Sequence, residues 1–148
     1  MSQTVHISLI ILMAGSLLTP LQAQQEYLSV PADTIEYLYP AEFRNSFQME
    51  IFAVMIDARL TREYRRGHIK EALNIPGMKQ LVPFADSMDI ETPLYIYCDG
   101  EARSRTVAEY LQERGFTRLR ILQYGIAEWK AAGLPLEKRS GLLGGRKK

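Results

Sequence analysis

One cysteine, Cys98, stands in the segment YIYCDGEARSRTVAEYL (residues 95–111), with Arg103 five positions further on and Ser104 beside it. An apolar run ends at Cys98 and a helical pattern begins just after it, so the thiol lies where a strand would hand over to a helix. Such a loop turns several backbone N–H groups toward one point, and the helix dipole adds partial positive charge there. A thiolate at the start of the loop is stabilised by both and needs no histidine to become a nucleophile. The intervening residues, Asp99, Gly100, Glu101 and Ala102, suit the geometry: Gly100 permits a positive φ and Ala102 is too small to obstruct. Arg103 starts the helix and can neutralise a bound anion, while Ser104 can cap it. The competing reading is a small buried hydrophobe, the usual fate of a lone cysteine at a strand end.

Other chemistries are narrowed by arithmetic. A single cysteine admits no intramolecular disulfide. The histidines are His6 and His68 alone, so no structural zinc site is expected, and no cofactor.

The elements that must position Cys98 follow from patterning. Residues 24–50 open on turn-prone SVPADT and continue with AEFRNSF, which has helix-forming composition after Pro40. IFAVMIDAR (51–59) reads as a buried strand whose charged end, Asp57 and Arg59, meets solvent. Thr61 to Arg66 makes one or two helical turns stopped at Gly67. EALNIPG holds a brief extended segment, and residues 78–88 a helix and loop interrupted by Pro83. PLYIYC (93–98) alternates as a strand does. Val107, Ala108 and Leu111 share one helical face, with Arg105, Glu109 and Gln112 opposite. Gly115 follows that helix as its stop, and Phe116 folds back onto it. Residues 117–123 read as a strand, and 126–133 as a short helix with Ile126 and Trp129 inward and Gly133 as its end. Strands alternating with helices imply an α/β fold, a parallel sheet with helices on both faces. Ligands bind such sheets at the carboxyl ends of strands, where Cys98 falls.

The chain of 148 residues is one domain in size, and its 47% hydrophobic and 24% charged residues argue against disorder. A net charge of +1 points to neither nucleic acid nor an anionic membrane surface. Residues 1–23 carry no Asp, Glu, Lys or Arg, and Ile7–Leu18 is nearly unbroken apolar sequence, too short to span a bilayer comfortably. Leu21-Gln22-Ala23 then offers a small-residue cleavage site, so residues 1–23 are expected to be a signal peptide for export, with the periplasm as destination. The apolar segment has no Lys or Arg before it, which leaves an uncleaved membrane anchor as the alternative. Residues 24–34 form an extension, 35–137 the domain, and 138–148 a basic Gly-containing tail.

Several separated motifs in one order carry a resemblance. Asp57-Ala58-Arg59, then Glu63-Tyr64-Arg65-Arg66-Gly67-His68-Ile69, then Asn74-Ile75-Pro76, the Cys98–Arg103 loop, and Trp129 ahead of Ala132-Gly133-Leu134-Pro135 resemble the rhodanese-like (sulfurtransferase) family over about residues 50–136. The resemblance implies the three-layer rhodanese-like fold of that family. It implies that Cys98 accepts a sulfane sulfur as a persulfide and passes it to a nucleophile, within a loop of Asp99, Gly100, Glu101, Ala102 and Arg103. Asp57, Arg59, Glu63, His68, Ser104 and Trp129 would be structural supports, and His68 not a catalytic base. Persulfide-forming members keep Cys and Arg five positions apart, as here, whereas the related phosphatases have a loop one residue longer. The chain departs from the family pattern at Gly100-Glu101, where Gly more often stands third after the Cys, and at Tyr124-Gly125, where two glycines are common.

The expected function is a single-domain sulfurtransferase whose partners are a small sulfur donor and a thiol acceptor, or a persulfidated protein. It would act as a monomer, without nucleic acid and without stable membrane insertion once the signal is removed. Asp99 and Glu101 would disfavour anionic donors. The alternatives are a non-catalytic rhodanese-like interaction module, in which the acidic loop docks a partner, and a thiol-dependent phosphatase or redox protein.

Overall fold

The computed structural model describes residues 35–138. The expectations for the signal segment, the extension and all but the first residue of the basic tail lie outside the described residues. In chain order the elements are β1 (Glu36–Leu38), α1 (Pro40–Met49), β2 (Val54–Asp57), α2 (Thr61–Arg66), β3 (Leu73–Asn74), α3 (Met78–Ser87), β4 (Leu94–Tyr97), α4 (Ala102–Glu113), β5 (Leu119–Leu122) and α5 (Gly125–Ala131). The strands form one parallel sheet in the order β1-β5-β4-β2-β3. Parallel pairing puts every strand's carboxyl end on one edge of the sheet, and β4 is central to it. This is the α/β architecture that the alternation of elements implies.

All four residues of β4 are buried. The expected alternation is present, and it divides two buried layers. Leu94, Ile96 and Cys98 pack with Leu81 and Ala85 of α3 and with Val107, Ala108 and Leu111 of α4. Tyr95 and Tyr97 face the opposite layer, among Phe43 of α1 and Ile126 and Trp129 of α5. The helices at both faces thus seal the strand that leads to the thiol.

Helix α4 ends as its sequence implies. Gly115 adopts φ 90°, its N–H donates to the Gln112 carbonyl at 2.9 Å, and the Phe116 N–H donates to that of Leu111 at 3.1 Å. Phe116 is buried against the helix it has just left.

Three features differ from expectation. Pro83 does not interrupt α3, which runs unbroken from Met78 to Ser87. The proline forfeits only the bond to the Lys79 carbonyl; both residues are exposed, so water can serve that carbonyl while Leu81 and Ala85 hold the helix down. Strand β1, at three residues, is too short for its pattern to announce it. It exists because it pairs with β5, Glu36 opposite Arg120, with Arg120 Nε 2.8 Å from the Glu36 carboxylate and Nη1 2.9 Å from that of Glu50. Finally, Asp57 and Arg59 do not meet solvent: they are 0% and 3% exposed.

Tyr97 supplies a pH signature for this packing. Its hydroxyl accepts the Ile69 N–H at 3.0 Å, and burial, reinforced by the Asp57 carboxylate, holds the phenol far above its ordinary value of 10.0. Above that value the folded state keeps a proton that the unfolded chain releases, so stability falls as pH rises. Urea midpoints are therefore expected to decline from about pH 10 upward. Tyr97→Phe should show a shallower alkaline decline than the wild type, and an unchanged slope would exclude Tyr97 as its source.

Candidate active site at the carboxyl end of β4

Cys98 follows β4 directly, is 2% exposed, and opens the loop that enters α4. Its carbonyl accepts the Ile126 N–H at 2.9 Å, which ties the strand end to α5. Its sulfur is held from two sides. The Ser104 hydroxyl donates to Sγ at 2.9 Å, and the thiol donates to the Gly100 carbonyl at 3.1 Å. The first bond of α4 that closes on the loop runs from the Arg105 N–H to the Glu101 carbonyl at 2.9 Å. The amides of the helix's first turn before Arg105 therefore have no acceptor within the helix and remain available to an anion.

Three local expectations are corrected. Ser104 does not cap the helix. Glu101 holds the N-cap position, and Ser104 is buried in the first turn, its side chain directed back toward the helix start as helical geometry requires. Arg103 is the second residue of α4, which begins at Ala102. Gly100 does not use a positive φ; that conformation falls instead on Tyr124 and Gly125, at 58° and 66°. A Cβ on Gly125 would stand 2.5 Å from the Gly100 carbonyl oxygen and 2.6 Å from the Asp99 carbonyl. The turn before α5 is thus pressed against the active loop, and only glycine leaves room for it.

The loop's acidic residues are each matched. Asp99 pairs with Arg103 at 2.5 Å, and Glu101 lies 3.7 Å from Arg105, one helical turn on in both cases. Glu101 also accepts the Tyr124 N–H at 2.9 Å, an anchoring role its charge alone did not announce. Arg103 is further approached by Glu63 at 3.8 Å. These pairings reduce the negative field that Asp99 and Glu101 would otherwise set up around the thiol.

Of the residues expected as supports, Arg59 and Glu63 share a cavity wall with Asp99, and each of the set is held by bonds of its own. Arg59 grips Asp57 through Nε at 3.0 Å and Nη2 at 2.6 Å, and Nη2 also donates to the Gly67 carbonyl at 2.8 Å. Burial alone would lower the guanidinium's pKa, but the carboxylate beside it outweighs that and raises it. Asn74 donates to the carbonyls of Asp57 and Arg59 at 3.2 and 2.8 Å, joining β3 to the same corner. Glu63 accepts the Leu60 N–H at 2.9 Å and so caps α2. His68 stacks on Tyr64 with ring centroids 3.8 Å apart, its Nδ1 is 3.0 Å from the Tyr64 carbonyl, and its backbone pairs with Glu137. Trp129 donates through Nε1 to the Pro135 carbonyl at 3.0 Å. Among the described residues no cluster of His, Cys, Asp and Glu could hold a metal ion.

Two cavities flank the loop. One, of about 180 Å³, is lined by Ala58, Ile75, Met78, Leu81, Arg103 and Val107. The other, of about 200 Å³, is more polar and includes Arg59, Glu63, Arg66, Asp99 and Lys130 in its wall.

Because Asp57 and Arg59 are both out of water, removing one strands the other. Asp57→Ala is expected to cost about 3–5 kcal/mol in urea unfolding. A loss below about 1 kcal/mol, the worth of an exposed pair, would contradict the buried assignment.

Comparison with known proteins agrees with this geometry. The rhodanese-like domain model matches residues 40–132. A thiosulfate sulfurtransferase GlpE of Actinobacillus pleuropneumoniae is 32% identical over 85 residues, covering 57% of this chain and 78% of the relative. A tRNA uridine(34) hydroxylase of Hamiltonella defensa is 32% identical over 115 residues, 72% of this chain but 32% of that protein. The crystal structure of a rhodanese-like domain protein from Staphylococcus aureus aligns with a TM-score of 0.59 at 27% identity, over 72% of this chain and 100% of that one. With Cys98 at the end of the central strand of such a sheet, and with these matches over most of the folded region, the chain belongs to the rhodanese-like domain family.

Proposed function

We propose that the protein is a sulfurtransferase that carries a sulfane sulfur as a persulfide on Cys98. The observation that carries this reading is the setting of the sulfur: a five-position Cys98–Arg103 loop closed from behind by the Ser104 hydroxyl at 2.9 Å. In the thiol the proton points to the Gly100 carbonyl. Once it leaves, the sulfur keeps Ser104 as a donor and gains the free amides at the start of α4. The thiolate attacks the outer sulfur of the donor. A bond forms between that sulfur and Sγ, and the donor's own bond to it breaks, its electron pair leaving on a sulfite or thiolate. An acceptor thiolate then attacks the outer sulfur, and Sγ departs as the thiolate. No external oxidant or reductant enters. The short loop favours one added sulfur over a tetrahedral phosphate, which speaks against a phosphatase. The donor and acceptor are small molecules or a persulfidated protein, and residues 1–23 direct the chain to the periplasm.

Intact-mass spectrometry after incubation with a panel of sulfane-sulfur donors tests the central step. Wild-type protein should gain one sulfur, Cys98→Ser none, and cyanide or a small thiol should remove it. A folded protein with no adduct from any donor would point instead to an interaction module. Ser104→Ala isolates the sulfur's own hydrogen bond. Losing a bond to a charged acceptor should slow persulfide formation about ten- to hundredfold. Its urea midpoint should stay close to wild type; equal rates in the two proteins would remove Ser104 from the mechanism.

A further inference from the structure

The polar cavity beside the loop contains charges that have no ion-pair partner among the described residues. Of the cations in its wall, Arg59 is committed to Asp57 and to the Gly67 carbonyl. Its carboxylates, Glu63 and Asp99, both face Arg103. Arg66 and Lys130 remain, and among the described residues neither has an ion-pair partner. They come from different elements, the last turn of α2 and the last turn of α5. A helix carboxyl end favours a cation, which accounts for each alone but not for their meeting at one cavity. Because Glu63 and Asp99 share the single Arg103, the wall with its ion-pair partners carries a net charge of +1, and a concave space of that sign attracts an anion.

Size and lining narrow what that anion is. A volume of about 200 Å³ holds several waters at roughly 30 Å³ each, more than a lone halide needs and less than a folded segment. Leu136 adds an apolar wall, which suits a short hydrocarbon body between the charges. Asp99, the neighbour of Cys98 in the chain, belongs to both the cavity and the active loop, so a molecule seated here lies beside the sulfur's loop.

We propose that this cavity binds the sulfur acceptor, a small thiol carrying carboxylates that Arg66 and Lys130 hold. The transfer step rests on the persulfide reading above; the binding of the carboxylates does not. In that step the acceptor's thiolate attacks the outer sulfur of the Cys98 persulfide. The acceptor gains the sulfur as its own persulfide, and the bond to Sγ breaks with its electron pair on Cys98, which takes up the proton the acceptor thiol released. Arg66 and Lys130 thus act as specificity residues, neither touching the reacting sulfur.

Two measurements on the full chain keep the proposals separable. The first is a nitrogen–proton NMR titration with succinate, which has carboxylates but no thiol. Succinate should shift the amides of Gly67 and Asp99, and Arg66→Ala/Lys130→Ala should abolish the shift; no shift in the wild type, or one that survives in the variant, overturns the site. The second is discharge of the preformed Cys98 persulfide by mercaptosuccinate and by uncharged thioglycerol. The double variant should lose about tenfold or more in kcat/KM with mercaptosuccinate, as expected for charge-assisted hydrogen bonds, and keep its rate with thioglycerol. Equal losses with both thiols, or none with either, would overturn the acceptor assignment. If no persulfide forms at all, the sulfurtransferase reading fails while the succinate titration still decides the cavity.

Discussion

The structure turns on a pair of opposite charges taken out of water. Asp57 ends β2, Arg59 follows two residues later, and neither is exposed beyond 3%. Desolvating both ions is costly, and the cost is offset only where geometry is tight and the remaining donors are used. Here the guanidinium meets the carboxylate through two nitrogens, reaches the Gly67 carbonyl, and lies 5.5 Å from the centre of the Tyr97 ring. The backbone carbonyls of Asp57 and Arg59 are taken by Asn74. One ion pair therefore sets the ends of β2, β3 and α2 beside β4. From α2, Glu63 then extends toward Arg103 of the active loop. A corner that looks structural is thereby coupled to the loop that follows Cys98.

A second constraint acts from the other side of the loop. Gly125 brings the turn before α5 so close to Asp99 and Gly100 that a methyl group would not fit. Backbone contact, the Ile126 N–H on the Cys98 carbonyl, and the Glu101 carboxylate on the Tyr124 N–H fasten the two segments together. The loop cannot widen without breaking these bonds. The positive φ at Tyr124, unusual for an aromatic residue, is part of the same closure.

Much of this was legible in the residues. Period and punctuation located β2, α2, β4, α4, β5 and α5, because their signals are local: apolar runs, helical spacing, Gly115 and Gly133 at helix ends. β1 was not legible, since so short a segment becomes a strand only when β5 and the carboxylates of Glu36 and Glu50 meet Arg120. The continuity of α3 through Pro83 likewise depends on tertiary contact at Leu81 and Ala85. At the site, the identity of Cys98 and the spacing to Arg103 stood out, but the role of Ser104 did not. A serine near a helix start reads as a cap by default, and only the backbone direction of α4 turns it toward sulfur. Glu101 misleads in the same way: by charge it belongs to the loop's field, by contact it is a tie to the next turn.

The burial of Cys98 decides how selectivity must be divided. Cys98 is 2% exposed, and the wall around its sulfur is largely backbone, one hydroxyl and apolar side chains. On the proposed function, such a wall would distinguish sulfur from larger groups but read little of the molecule that delivers it. Recognition of the rest of that molecule falls to the rim. There the charges occur as matched pairs, Asp99 with Arg103 and Glu101 with Arg105, which hold the loop's shape while limiting its net field. Arg66 and Lys130, which have no ion-pair partner among the described residues, stand on α2 and α5. On the proposed function, reaction at the sulfur and selection of its partners would be carried by different elements, and the rim could vary its charges without disturbing the buried corner that places the thiol.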